Sequence, residues 1–325
     1  MKCIGNYFKT TAAVLCGTIL LSGCSLFETK DVVTEYETEN YNQNIYQASL
    51  YAEDLCVTEG NVEMTGAPDA SGLHAAALFD VNGGEVDFAY QVFDKLYPAS
   101  TTKIMTALVA ILYGDLSEEV SVSEAASASS FAADESVAEL QQGDMLTLKD
   151  LLYGLLLCSG NDAAVAIAET VSGNVDDFVD LMNEEARKLM ATQTHFENPH
   201  GLHSDNHYTT AYDLYLIFNE CVKNETFMEI ISMDSYTGTL TGSDGTVRNE
   251  TWVPSNYYSN GTTEAPDGIR VFGGKTGTTD QAGCCVILYS EDMENHPYIS
   301  VIMGAEDKNF LYQEMNRLFT AGITG

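Results

Sequence analysis

The chain has 325 residues, 45% hydrophobic and 19% charged, a globular composition with enough apolar content to bury a full core. Its 14 basic side chains face 48 acidic ones, for a formal charge of −34. So acidic a surface excludes nucleic acid and anionic lipid as electrostatic partners.

At the N-terminus, Lys2 and Lys9 precede the apolar run Thr10–Leu21, which is too short to span a bilayer comfortably. A signal peptide over residues 1–24 is therefore predicted. The run ends in Leu21-Ser22-Gly23-Cys24, which resembles the lipobox of bacterial lipoproteins. In that motif small residues admit the signal peptidase and the cysteine thiol takes a diacylglycerol. The resemblance implies lipidation of Cys24 and anchoring on the outer face of the cytoplasmic membrane, in a bacterial cell envelope. An ordinary signal peptide or an uncleaved anchor is the alternative. Loss of residues 1–24 removes two lysines and no acid, leaving 12 basic against 48 acidic side chains, a formal −36 that favours solubility outside the cell.

Residues 25–54 are polar and acidic (Glu28, Asp31, Glu35, Glu37, Glu39) and read as a tether. The catalytic domain is expected over 55–325. Five cysteines lie beyond Cys24: Cys56, Cys158, Cys221, Cys284 and Cys285. They are scattered and lack metal-ligand spacing, so no disulfide framework is expected.

Strands are predicted at His74–Asp80 and Glu85–Tyr90 around the hairpin signal Asn82-Gly83-Gly84. A helix follows over Thr101–Tyr113, with Ile104, Leu108 and Leu112 on one face. Val120–Gln142, rich in Ser, Ala and Glu, is expected to form short helices around the site. Helices at Leu148–Leu157 and Ala163–Val171 flank Ser159-Gly160-Asn161, and two more are predicted at Asp176–Met190 and Ala211–Val222. A polar hairpin is expected over Ser232–Arg248, then strands at Val271–Gly277, Ala282–Tyr289 and Tyr298–Gly304. Phe310–Ala321 reads as a closing helix. Strands at both ends and helices between them imply one sheet built from both termini with a helical lobe inserted, an α/β (α+β) fold.

Three short motifs carry chemistry. Ser100-Thr101-Thr102-Lys103 stands at a helix start, where residues three apart share a face, so Lys103 lies beside the Ser100 hydroxyl. A serine alcohol is a weak nucleophile until a base takes its proton. A lysine can do so only if burial or a nearby cation lowers its pKa. Ser159-Gly160-Asn161 can lean into a cleft, the serine relaying a proton and the asparagine holding a lysine or a substrate amide. Lys275-Thr276-Gly277 follows Gly273-Gly274 on a strand, offering positive charge to a carboxylate and depressing the pKa of Lys103. Each motif alone is weak. In this order, on an exported chain, they match the set found in penicillin-binding proteins and class A β-lactamases.

Longer stretches resemble the D-alanyl-D-alanine carboxypeptidases among the low-molecular-mass penicillin-binding proteins. They are Tyr97–Leu108, Leu157–Ala164, Phe178–Asn183, Phe196–Leu202, and Gly274–Thr279 with Ala282-Gly283. The resemblance covers roughly residues 70–320 and implies the penicillin-recognising serine-transferase fold. It implies Ser100 as acylated nucleophile, Lys103 as general base, Ser159 in the proton network, and Asn161, Lys275, Thr276, Gly277 and Thr278 holding substrate. Backbone N–H groups of Ser100 and Thr278 would form the oxyanion hole. Peptidoglycan stem peptides would be the substrates and β-lactams covalent inhibitors, with no cofactor. Two features depart from many relatives. Gly273-Gly274 and Thr278 flank the Lys-Thr-Gly triplet, and the family's frequent extra β-domain and C-terminal amphipathic anchor are not expected, the N-terminal lipid taking the anchor's place.

Other readings compete. His195, His200, His203 and His207 cluster, but their spacing does not fit a helical zinc pair, and rim or structural histidines without metal are expected. A class A-like β-lactamase would need a loop glutamate, for which Glu197 stands in about the right region. A DD-endopeptidase of the same family, a β-lactam sensor and a wall-binding scaffold complete the alternatives.

Overall fold

A computed structural model describes residues 54–324. The predicted signal peptide, Cys24 and all but the last residue of the tether lie outside the described residues. Asp54 opens one compact unit that runs to the C-terminus.

The hairpin β1 (Ala75–Asp80) and β2 (Glu85–Tyr90) turns where expected, with Asp80 Oδ1 accepting the Gly83 N–H at 2.8 Å. A 3-10 turn, Ala99–Thr102, leads into helix α1 (Lys103–Tyr113). Strands β3 (Glu119–Ser121) and β4 (Met145–Thr147) follow, then helices α2 (Leu148–Leu156), α3 (Asn161–Ser172), α4 (Val175–Lys188), α5 (Ala211–Cys221) and α6 (Glu225–Ile231). The chain closes with β5 (Tyr236–Thr241), β6 (Val247–Trp252), β7 (Arg270–Thr279), β8 (Gly283–Glu291), β9 (Pro297–Ala305) and α7 (Lys308–Gly322). Local chemistry sets the helix starts. Thr147 and Asp150 form a reciprocal capping box on α2, while Asn174, Thr210 and Asp307 accept backbone N–H groups at the heads of α4, α5 and α7.

The first and last strands share one five-stranded antiparallel sheet, ordered β2-β1-β9-β8-β7. Its strands alternate between two cores. Ala76, Leu78, Val286, Leu288 and Ile302 pack with Leu311, Met315, Leu318 and Phe319 of α7. Ala75, Ala77, Phe79, Ile287, Ile299 and Val301 face the helical lobe, where Phe79 stacks on Tyr215 with ring centroids 3.9 Å apart. The side-chain period of two lets one strand serve both layers. Within the lobe α1 is central, packed on α2, α3, α4 and α5.

Several expectations are corrected. The strands do not all join one sheet: β3, β4, β5 and β6 make a second, four-stranded one. Leu112 leaves the buried face of α1 and is exposed, because that face closes near Ala110. Val120–Gln142 is irregular apart from β3 and a 3-10 turn at Ala128–Ser130. It lacks a helical apolar stripe, and side chains satisfy its backbone instead: Asp162 takes the N–H groups of Ala138 and Leu140, and Asp144 that of Gln141. Helix α6, capped by Asn224, was not anticipated. The five described cysteines are free thiols. No helix among the described residues is long and apolar enough to cross a membrane.

Candidate active site

Three elements meet at one cleft. The turn carrying Ser100 packs against β7, and the start of α3 stands opposite. The cleft has a volume of about 500 Å³; Ser100, Asn161, Gly201, His203 and Thr278 are among the residues that line it. Two local conformations that disfavour side chains occur here. Ala99, just before Ser100, has φ +47°, and Ser159 has φ +65°. Each costs about 1 kcal/mol or more and persists only because its surroundings hold it. Gly277 is required by contact: a Cβ there would stand 2.8 Å from Ser100 N and 2.9 Å from both Pro98 O and Thr101 N. A glycine lets β7 lie directly on the nucleophile turn.

Lys103 is fully buried, its Nζ 3.1 Å from Ser100 Oγ. The amine donates to Asn161 Oδ1 at 2.7 Å and to the His200 carbonyl at 2.6 Å. Burial, reinforced by the charge of Lys275, holds its pKa well below the usual lysine range. A neutral amine has two N–H groups and one lone pair. The two carbonyl acceptors take the two protons, so the lone pair is left for the Ser100 hydroxyl.

Lys275 is 1% exposed and donates to Ser159 Oγ at 3.0 Å and to the Thr276 carbonyl at 2.8 Å. Burial pushes its pKa down to about 7. It therefore sits beneath the cleft surface held by neutral dipoles, and carries its full positive charge only below about pH 7. Thr276 turns away: its hydroxyl pairs with Ser255 Oγ at 2.6 Å. Thr278 is on the cleft wall.

The structure thus brings together Ser100, Lys103, Ser159, Asn161, Lys275, Gly277 and Thr278, with Thr276 contributing its carbonyl. The pair Gly273-Gly274 has a steric origin. Their φ values are +150° and +157°, and added Cβ atoms would meet Ile231 O at 1.9 Å and Ile287 O at 2.0 Å. They allow β7 to bulge past the end of α6.

Sequence reasoning missed parts of the site. Asp134, Glu135, Ser136, Asp280 and Gln281 also line the cleft. The first three are held there by Asp162, whose buried carboxylate takes the Ala138 N–H at 2.7 Å and the Leu140 N–H at 3.0 Å, and by Asn161, whose N–H donates to Ser136 O at 2.8 Å. Asp162 was visible as the residue after Asn161, but its partners lie more than twenty positions upstream. His200 contributes its carbonyl, a role no side-chain motif encodes.

The four clustered histidines do not converge. His195 Nδ1 contacts Asn206 O, the Leu202 N–H donates to His200 Nδ1, His203 faces Asp205, and His207 contacts Thr102. No group of three or more candidate ligands is placed to hold a metal among the described residues. Glu197 is exposed, hydrogen-bonded to Ser204, and not part of the cleft lining.

The fold and the Ser100–Lys103–Lys275 constellation place the chain in the penicillin-recognising fold class. A sequence model of the D-alanyl-D-alanine carboxypeptidase family, peptidase S11, matches residues 62–307, and the chain belongs to that family. Relatives include the D-alanyl-D-alanine carboxypeptidase DacF of Bacillus subtilis, 32% identical over 71% of this chain and 57% of that protein. DacA of Haemophilus influenzae is 32% identical over 70% of this chain and 56% of that protein. The chain thus spans somewhat over half the length of these relatives. Among solved structures, the Streptomyces K15 DD-transpeptidase superposes with a TM-score of 0.73 at 26% identity, over 80% of this chain and 100% of that one. Penicillin binding protein 5 from Haemophilus influenzae gives 0.70 at 30% identity, over 79% and 72%.

Proposed function

We propose that the protein is a serine-type D-Ala-D-Ala carboxypeptidase that trims peptidoglycan stem peptides through an acyl-enzyme on Ser100. The observation that carries this reading is the hydrogen-bonding of Lys103, whose two carbonyl acceptors leave its lone pair for Ser100. Ser100 Oγ attacks the carbonyl carbon of the penultimate D-alanine as its proton passes to Lys103 Nζ. Backbone N–H groups of Ser100 and Thr278 take the charge that develops on the carbonyl oxygen. The C–N bond breaks as the leaving amine takes that proton from Lys103 by way of Ser159, and D-alanine departs. Water then adds to the ester, giving a proton to the neutral Lys103, which passes it to Ser100 Oγ as the ester C–O bond breaks and frees the serine. Lys275 supplies positive potential for the terminal carboxylate and keeps Lys103 neutral. A β-lactam acylates Ser100 in the same way.

On this reading the chain works outside the cytoplasmic membrane, held by a lipid on Cys24, as the Leu21–Cys24 motif supports. Metabolic labelling with a palmitate analogue should mark the wild type and not Cys24→Ser; no label on the wild type would sink the anchoring proposal.

The test of the activity is release of D-alanine from a pentapeptide ending in D-Ala-D-Ala, with labelling by a fluorescent penicillin. Both should vanish in Ser100→Ala while the far-UV spectrum is unchanged. Labelling that survives would place the nucleophile elsewhere.

A further inference from the structure

Among the buried ionisable groups that this chemistry does not use is a histidine. His207 is 2% exposed and lies behind the turn that carries Ser100. Its Nε2 is 2.7 Å from Thr102 Oγ1, and its Nδ1 is 3.0 Å from the backbone nitrogen of Glu197. The Thr102 hydroxyl is 2.8 Å from the Ala99 carbonyl.

Proton counting fixes every direction in this chain. A backbone N–H can only donate, so Nδ1 is bare and accepts from Glu197. A neutral imidazole then carries its one proton on Nε2. That proton goes to Thr102 Oγ1, and the hydroxyl spends its own proton on Ala99 O. Burial keeps the ring neutral by pushing its pKa down to about 4. An imidazolium would set an N–H against the Glu197 N–H and break the chain.

The two ends of the chain matter. Ala99 is the residue with φ +47° immediately before the nucleophile. Glu197 opens the loop whose His200 carbonyl receives the Lys103 amine. Two further contacts bind the same partners. Thr106 Oγ1 donates to Pro199 O at 2.5 Å, and Gly201 lies so close that a Cβ would stand 1.9 Å from Ala99 O. The His207 side chain reaches both the nucleophile turn and the start of the loop.

We propose that His207 is a positioning residue that clamps the turn 98–102 to the loop 197–201, and so holds the Lys103 amine in register with the Ser100 hydroxyl. The inference rests on the reading of Ser100 as nucleophile and Lys103 as base. His207 touches neither substrate nor the reacting atoms, and it acts through Thr102 and through the backbone of residue 197.

The experiment is rapid-mixing kinetics of penicillin acylation on the full-length protein, separating non-covalent binding from the first-order acylation step. His207→Ala and Thr102→Val should each slow the acylation step about tenfold to a hundredfold, with the binding constant nearly unchanged. The double variant should be no slower than the worse single one, because both changes cut the same chain. Independently, nitrogen NMR of the wild type labelled at histidine should show His207 protonated on Nε2 alone between about pH 5 and 8. That reading does not depend on any variant folding. Losses that multiply in the double variant, losses confined to binding, or a ring protonated on Nδ1 would each overturn the proposal. So would variants with a lowered melting temperature but wild-type acylation when folded. A wild type that is not acylated at Ser100 would instead overturn the functional reading on which the proposal rests.

Discussion

Lys275 acts on Lys103 through its field, while its own hydrogen bonds go to Ser159 and the Thr276 carbonyl. Its charge is second only to burial in holding the Lys103 amine below the ordinary lysine range.

Replacing that charge should therefore separate stability from activity. The folded-state pKa of Lys275 is lowered, to about 7 from 10.5, so the unfolded chain binds more protons between those values. The cost of burying Lys275 is thus full below about pH 7 and is relieved as pH rises toward 10.5. Lys275→Met should raise the neutral-pH stability by about 1 kcal/mol or more and flatten its rise across that window. In the same variant Lys103 loses a repelling neighbour, its pKa climbs, and the ascending limb of penicillin acylation should move to higher pH by about one unit. Urea melts and acylation rates measured across pH check both halves. An unmoved limb would mean that Lys275 does not tune Lys103.

Gly277→Ala should be far more damaging to catalysis than its single methyl suggests. The new Cβ would press on Ser100 N, Pro98 O and Thr101 N, all backbone atoms that cannot rotate aside. Stability should fall by about 1–3 kcal/mol. Acylation should fall about a hundredfold, because the nucleophile turn must lift from β7. Acylation within twofold of wild type would show that the turn has slack.

Asp162→Ala leaves the N–H groups of Ala138 and Leu140 buried without an acceptor. A loss of about 2–4 kcal/mol is expected for the pair, measured by chemical denaturation. Hydrogen exchange should speed up at residues 134–140 more than in the five-stranded sheet, since that wall of the cleft hangs on this carboxylate. Uniform acceleration would assign Asp162 a global role instead.

Penicillin should form a long-lived ester. Its leaving group stays tethered and fills the space that departing D-alanine would open to water. Burst kinetics should give one equivalent followed by slow release, unchanged in Glu197→Gln, since Glu197 is exposed and bonded to Ser204. Fast steady-state hydrolysis lost in that variant would reassign the protein as a β-lactamase.

Much of this was legible in the residues. Strand alternation and the Asn-Gly-Gly turn located β1 and β2, and the Ser-x-x-Lys spacing put Lys103 beside Ser100 because a helical turn has few ways to arrange them. The motifs could not show what satisfies a backbone. The segment 120–142 reads as helix from its Ala and Glu content, yet it is irregular, with backbone N–H groups taken by carboxylates that include Asp162 on α3. Likewise Gly273 and Gly274 look like a departure from the family until the carbonyls of Ile231 and Ile287 are seen against them. The second sheet was hidden because β3 and β4 are three residues each, and β4 meets β5 only across the helices that lie between them in sequence.

The pairing of β1 with β9 also sets a timetable. Ser100 leaves the ribosome long before β7, β8 and β9 exist, and at about 5–20 residues per second the delay is on the order of ten seconds or more. During that interval the serine has no Lys275 field and no strand against its turn, so on the proposed reading a nascent chain should be chemically silent. Reactivity toward penicillin should therefore report that the C-terminal strands have docked. A pulse of fluorescent penicillin given during synthesis would mark finished molecules and pass over every ribosome-bound one.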